Sequence, residues 1–73
     1  KKGVYVYFRE YEHEKIMVVS NHTSKTVKVD LSYYAEETNG YQYGLEVLSG
    51  VEYKLDVDKM DIEGNNILIL ELW

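Results

Sequence analysis

The sequence predicts an all-β domain, a small antiparallel β-sandwich of six to eight strands. Three observations carry this. Apolar residues recur mostly with period two, the pattern of half-buried strands. Turn signals punctuate the chain at short intervals, at Gly3, residues 21–24, Asn39-Gly40, Gly44, Gly50 and residues 64–66. Tyrosine, which favours strands, occurs eight times in 73 residues.

The first strand is Val4, Val6 and Phe8 alternating with Tyr5, Tyr7 and Arg9, one aliphatic face and one aromatic face. Residues 10–14, "EYEHE", are polar and short enough for a hairpin loop. Residues 15–20 hold the run Ile16, Met17, Val18, Val19, which predicts a strand covered on both sides. After a turn at residues 21–25, Val27, Val29 and Leu31 alternate with Lys28 and Asp30. "LSYYAEE" has room for one helical turn capped by Ser32. "TNGYQYG" reads as loop. Leu45, Val47 and Leu48 lead into a turn at Ser49-Gly50, and Val51, Tyr53 and Leu55 leave it. Residues 56–66 are mostly polar, anchored by Val57, Met60 and Ile62. The final strand, residues 67–72, is apolar on both faces up to Glu71, which places it centrally in a sheet. Such a chain packs as a two-sheet sandwich or a small barrel, with Greek-key wiring the expected type.

Seventy-three residues make one domain, spanning residues 1–73. There is no cysteine, hence neither a disulfide nor a thiolate metal site. No apolar run approaches 18 residues, so no transmembrane helix is expected. The opening Lys1-Lys2-Gly3-Val4 lacks the apolar stretch of a signal peptide. Eight Lys and Arg against thirteen Asp and Glu give a net charge of −5. That balance disfavours nucleic acid, which needs clustered cations to displace phosphate counterions. Neither a nucleic acid nor a membrane is an expected partner.

No constellation predicts catalysis. Glu12-His13-Glu14 is the most metal-like triplet, but adjacent strand residues point to opposite faces, so it reads as a solvated hairpin tip. His22 reads as a turn residue. "DVDKMDIEG", residues 56–64, places Lys59 and Met60 mid-loop and its glycine late, unlike a calcium loop. Ser20, Ser32 and Ser49 lack the Gly-x-Ser-x-Gly context of a nucleophile elbow. A carboxylate pair for glycoside hydrolysis needs a substrate cleft, for which so small a sandwich has little room. No metal, cofactor or catalytic residue is expected. The tyrosines keep two readings open. Tyr33, Tyr34, Tyr41 and Tyr43 lie in or near one long loop, where their rings either stack on sugar faces or anchor the loop with the hydroxyl left wet. Tyr5 and Tyr7 are core or interface residues.

Five blocks in order carry a resemblance. They are Val4-Tyr5-Val6-Tyr7-Phe8-Arg9, then residues 15–21 with Lys15, Met17, Val18 and Asn21, then residues 29–36, residues 46–56, and residues 67–72 ending Leu70-Glu71-Leu72. Together they resemble the C-terminal β-domain of cyclomaltodextrinase- and neopullulanase-like enzymes, of the α-amylase family of glycoside hydrolases. The resemblance covers nearly the whole chain. Two features depart from it. The family often has a proline before the last strand, absent from residues 62–66, and the "NGYQYG" loop has no clear counterpart.

The resemblance implies an antiparallel sandwich packed against a catalytic (β/α)8 barrel of the same polypeptide, with the catalytic carboxyls on the barrel and none carried over to this chain. The chain is then an accessory domain excised from a hydrolase of starch, maltodextrin or cyclomaltodextrin, with Tyr5 and Tyr7 as its domain-interface residues. The alternative is a carbohydrate-binding module that takes α-glucan on Tyr33, Tyr34, Tyr41 and Tyr43. Export to the periplasm is implied by the resemblance alone.

Overall fold

The computed structural model describes residues 2–73. Seven strands follow in order: β1 (Val4–Tyr11), β2 (Glu14–Asn21), β3 (Val27–Asp30), β4 (Tyr43–Glu46), β5 (Glu52–Lys54), β6 (Lys59–Ile62) and β7 (Asn66–Leu72). A 3₁₀ turn (Leu31–Tyr34) and one turn of helix, α1 (Ala35–Thr38), connect β3 to β4. The strands form two sheets, one in the order β1-β2-β7-β4-β5 and the other β3-β6. Every pairing is antiparallel. The pairs nest: β4 with β5, β3 with β6, β2 with β7. A hairpin folded over on itself gives this nesting, the Greek-key wiring of jelly-roll sandwiches.

The period-two pattern decides what each face buries. Val4, Val6 and Phe8 of β1 lie opposite Asn21, Val19 and Met17 of β2, all toward the second sheet. Leu68, Leu70 and Leu72 of β7 continue that face. The small sheet closes over it with Val29, Met60 and Ile62, and Leu31 and Leu55 fill the ends. As expected, β7 is the central strand of its sheet.

Several boundaries differ from the sequence reading. The first hairpin needs only Glu12 and His13 for its turn, with Glu12 in the left-handed region at φ 55° and Tyr11 paired with Glu14. Tyr43 and Gly44, read as loop, open β4. Gly44 is held close to Leu70, whose Cβ would lie 3.1 Å from an added methyl. The polar stretch 56–66 contains a strand, β6, in which Met60 and Ile62 point inward while Lys59 and Asp61 face solvent. The cap of the 3₁₀ turn is Asp30 rather than Ser32: its Oδ1 accepts from the Ser32 N–H at 3.1 Å and the Ser32 hydroxyl at 2.6 Å.

Two buried polar side chains staple the turns. Asn21 is 1% exposed. Its Nδ2 donates to the carbonyls of Lys25, Ile62 and Glu63, and its Oδ1 accepts from the N–H and hydroxyl of Thr23. Glu46 is 4% exposed. Its Oε1 accepts from the N–H groups of Leu48 and Ser49, and its Oε2 from that of Ile69. The Ile69 N–H, then that of Ser49, holds the carboxyl below its ordinary range. Among the described residues no buried side-chain nitrogen or oxygen lacks a partner.

Candidate functional site

The two outer faces of the sandwich differ in kind. On the small sheet, Lys28 pairs with Asp61 at 3.0 Å and Lys59 approaches Asp30 at 3.8 Å, so that face is charged and solvated. On the large sheet, register places Tyr5, Ser20 and Ile67 in one row and Tyr7, Val18 and Ile69 in the next. Tyr5 is 59% exposed, Tyr7 52% and Ile67 51%, while Val18 is buried among its neighbours. The next row runs Arg9, Ile16, Glu71, Leu45, Glu52. An aromatic-aliphatic patch therefore occupies one end of this face, with charges closing the other.

At the β1 edge of that patch lies a cleft of about 690 Å³, lined by residues 4–7 of the strand and by Asp30, Tyr33 and Tyr34 from the opposite layer. So small a sandwich is expected to leave little room for a cleft, and the corner between its two layers nevertheless opens one. Tyr33 is 82% exposed and stands edge-on to Tyr34, with centroids 5.1 Å apart and planes at 80°. Tyr34 is half-buried against Phe8 at 6.0 Å. Burial, and then Tyr33, pushes its hydroxyl pKa up. Asp30 is held ionised chiefly by the Ser32 hydroxyl, which lowers its pKa. Its Oδ2 faces only the long contact to Lys59.

The structure does not gather the four loop tyrosines. Tyr33 and Tyr34 share the cleft. Tyr41 packs on the core, 5.9 Å from the Lys15 ammonium. Tyr43 lies beside Trp73, centroids 5.2 Å apart and planes at 32°. Instead, Tyr33 and Tyr34 meet Tyr5 and Tyr7, which the sequence placed in a separate group. Asp30 was not singled out as a site residue. Its signal was present, since Asp-x-Ser at the end of a strand fixes a carboxylate beside the residues that follow. Among the described residues no three His, Asp or Glu side chains converge on one point.

Fold and surface define the class: a two-layer antiparallel β-sandwich whose distinctive features are aromatic and aliphatic surfaces. The chain belongs to the cyclo-malto-dextrinase C-terminal domain family, whose sequence model matches residues 1–71. It is thus the C-terminal domain of a glycoside hydrolase family, one in which a catalytic domain lies in the same polypeptide. No curated protein matches the chain.

Proposed function

We propose that this chain is a non-catalytic accessory domain of an α-glucan hydrolase. It packs on the catalytic barrel of its own polypeptide and stabilises it. The supporting observation is the asymmetry of the outer faces. A small domain rarely leaves a contiguous apolar face to water unless a partner covers it. Val18, Ile67 and Ile69 form the centre of the docking face, and Tyr5 and Tyr7 its β1 margin. The family match supports a catalytic domain of the same polypeptide as the partner, and the proposal takes starch, maltodextrin or cyclomaltodextrin as that domain's substrate class.

Two measurements test this. The codons upstream of Lys1 are expected to encode a (β/α)8 barrel, and a reading frame that opens beside Lys1 would overturn the proposal. Hydroxyl-radical footprinting is expected to label Ile67 and Ile69 strongly in the 73-residue chain and weakly in the intact polypeptide. Equal labelling would mean that the barrel docks elsewhere. A second reading, direct binding of α-glucan, is favoured by one observation: Tyr33 and Tyr34 share a cleft.

A further inference from the structure

We infer that the cleft between the β1 edge and the Asp30–Tyr34 corner is a surface site for an α-linked glucan chain. Tyr33 is its stacking platform and Asp30 its hydroxyl acceptor. The docking face meets this cleft along β1, where Tyr5 and Tyr7 border both, while Tyr33 and Asp30 belong to the cleft alone. The face is a flat, mostly aliphatic field, and the cleft is a concavity ringed by tyrosines with a carboxylate in its wall.

The chemistry of the lining selects the ligand. Its volume, about 690 Å³, falls in the range of small-molecule sites. An exposed aromatic face attracts a ligand that is flat and apolar on one side. Tyr33 offers such a face to solvent, backed on one side by Tyr34, which itself lies against Phe8. An ionised carboxylate accepts and never donates, so it calls for a ligand rich in O–H or N–H donors. Asp30 commits Oδ1 to Ser32, and its Oδ2 meets the Lys59 ammonium at 3.8 Å, beyond hydrogen-bond distance, so Oδ2 can still accept from a ligand. The same carboxylate, in a chain of net charge −5, repels phosphates, nucleic acids and acidic peptides.

A neutral polyol with apolar C–H faces satisfies all three requirements, and a sugar is that polyol. A chain of sugars fits better than one unit. Tyr5 and Tyr7 stand two residues apart on an extended strand, about 7 Å, so their rings flank a path along β1 past Tyr33. The choice of a sugar rests on the cleft. The choice of an α-linked glucan rests on the accessory-domain proposal.

The test is an amide NMR titration of the 73-residue chain with maltoheptaose, with cellohexaose as the β-linked comparison. Maltoheptaose at millimolar concentration is expected to shift amides in residues 4–7 and 30–34, and cellohexaose is expected to bind at least tenfold more weakly. Tyr33→Ala, at a site open to solvent, is expected to weaken maltoheptaose binding about tenfold, which is about 1.4 kcal/mol. Asp30→Asn is expected to do the same, and Tyr11→Ser, beyond the cleft on β1, to leave binding unchanged. Dispersed amide spectra of the variants show that each has folded. Absence of shifts would overturn the inference, as would shifts confined to Tyr43 and Trp73 or unaltered binding in Tyr33→Ala. Equal binding of cellohexaose would overturn the α-glucan assignment. None of these outcomes bears on the upstream codons or the footprint of the intact polypeptide, so the two proposals fail separately.

Discussion

Glu46 shows what a buried acid does in a domain of this size. Short chains bury a smaller share of their surface than large ones and have little stability to spare, so each buried charge must be fully satisfied. Three backbone N–H groups, two from the following turn and one from β7, do that for Glu46. They hold the carboxyl ionised, which links stability to pH. A carboxyl whose pKa is lower folded than unfolded contributes stability that is complete above its unfolded value, about 4.3, and is lost as pH falls through the folded value. Asp30 adds to the effect in the same direction. Urea midpoints measured between pH 7 and pH 3 are expected to fall below pH 4.5 or so in the natural chain. Glu46→Gln is expected to be less stable at pH 7 and to show a shallower acid dependence. An identical slope in the two chains would refute the role. None of this was legible beforehand, because the glutamate in "GLEVLSG" looks like any exposed strand acid until register turns it inward opposite Leu70.

At the scale of elements, the tie between the helical corner and the large sheet is a lysine. Lys15 starts the buried run of β2 and is itself buried. Its ammonium donates to the Glu37 carbonyl at 2.8 Å and pairs with the Glu37 carboxylate at 2.8 Å, with the ring centroids of Phe8 and Tyr41 at 5.7 and 5.9 Å. The Glu37 bond outweighs burial and raises the lysine pKa. Lys15→Met keeps most of the stem packing but removes the charge-assisted bonds. It is expected to cost about 2 kcal/mol, or a fall of about 8–16 °C in melting midpoint, and to speed amide exchange in α1 before exchange in β2 and β7. Uniform acceleration would show that the corner is held by something else.

A second tie joins two turns. A methyl on Gly64 would sit 2.5 Å from the Ser24 carbonyl carbon. Gly64→Ala is therefore expected to destabilise by about 1–3 kcal/mol, read as a shift in urea midpoint at constant m-value. The strands with clear alternation, β1 and β3, were legible because one residue in two faces the core, and β7 was legible for the opposite reason, its unbroken run from Ile67 to Leu70. β6 was missed because its outward residues, Lys59 and Asp61, made a four-residue strand look like loop. Alternation was visible in Met60 and Ile62 alone, and what makes them a strand is their distant partner, β3.

The molecule is a thin sandwich, 34 × 25 × 18 Å, whose small-sheet outer face is charged and whose large-sheet outer face is apolar at one end. The sequence foreshadowed the contrast, in the alternation of valine with tyrosine along β1, but could not rank the faces. That needed the sheet order, which sets Tyr5 beside Ile67 through Ser20, although the two residues lie far apart in the chain. The exposed part of the aliphatic field, Ile67 above all, does little for the fold of this chain, since it packs on no second layer. Ile67→Lys makes that separable. Ile67 is half-exposed and contacts no second layer, so the substitution is expected to change the stability of the 73-residue chain by less than about 0.5 kcal/mol. By adding a charge to the patch it is expected to reduce self-association at high concentration, measured by sedimentation. In the intact polypeptide the same lysine would be buried against the barrel without a partner, a costly position for an ammonium. There it is expected to lower the melting midpoint of the enzyme or to release the domain to proteolysis. A variant that leaves the intact polypeptide as stable and as protease-resistant as before would place the barrel on another face. One that destabilises both chains equally would make Ile67 a core residue after all.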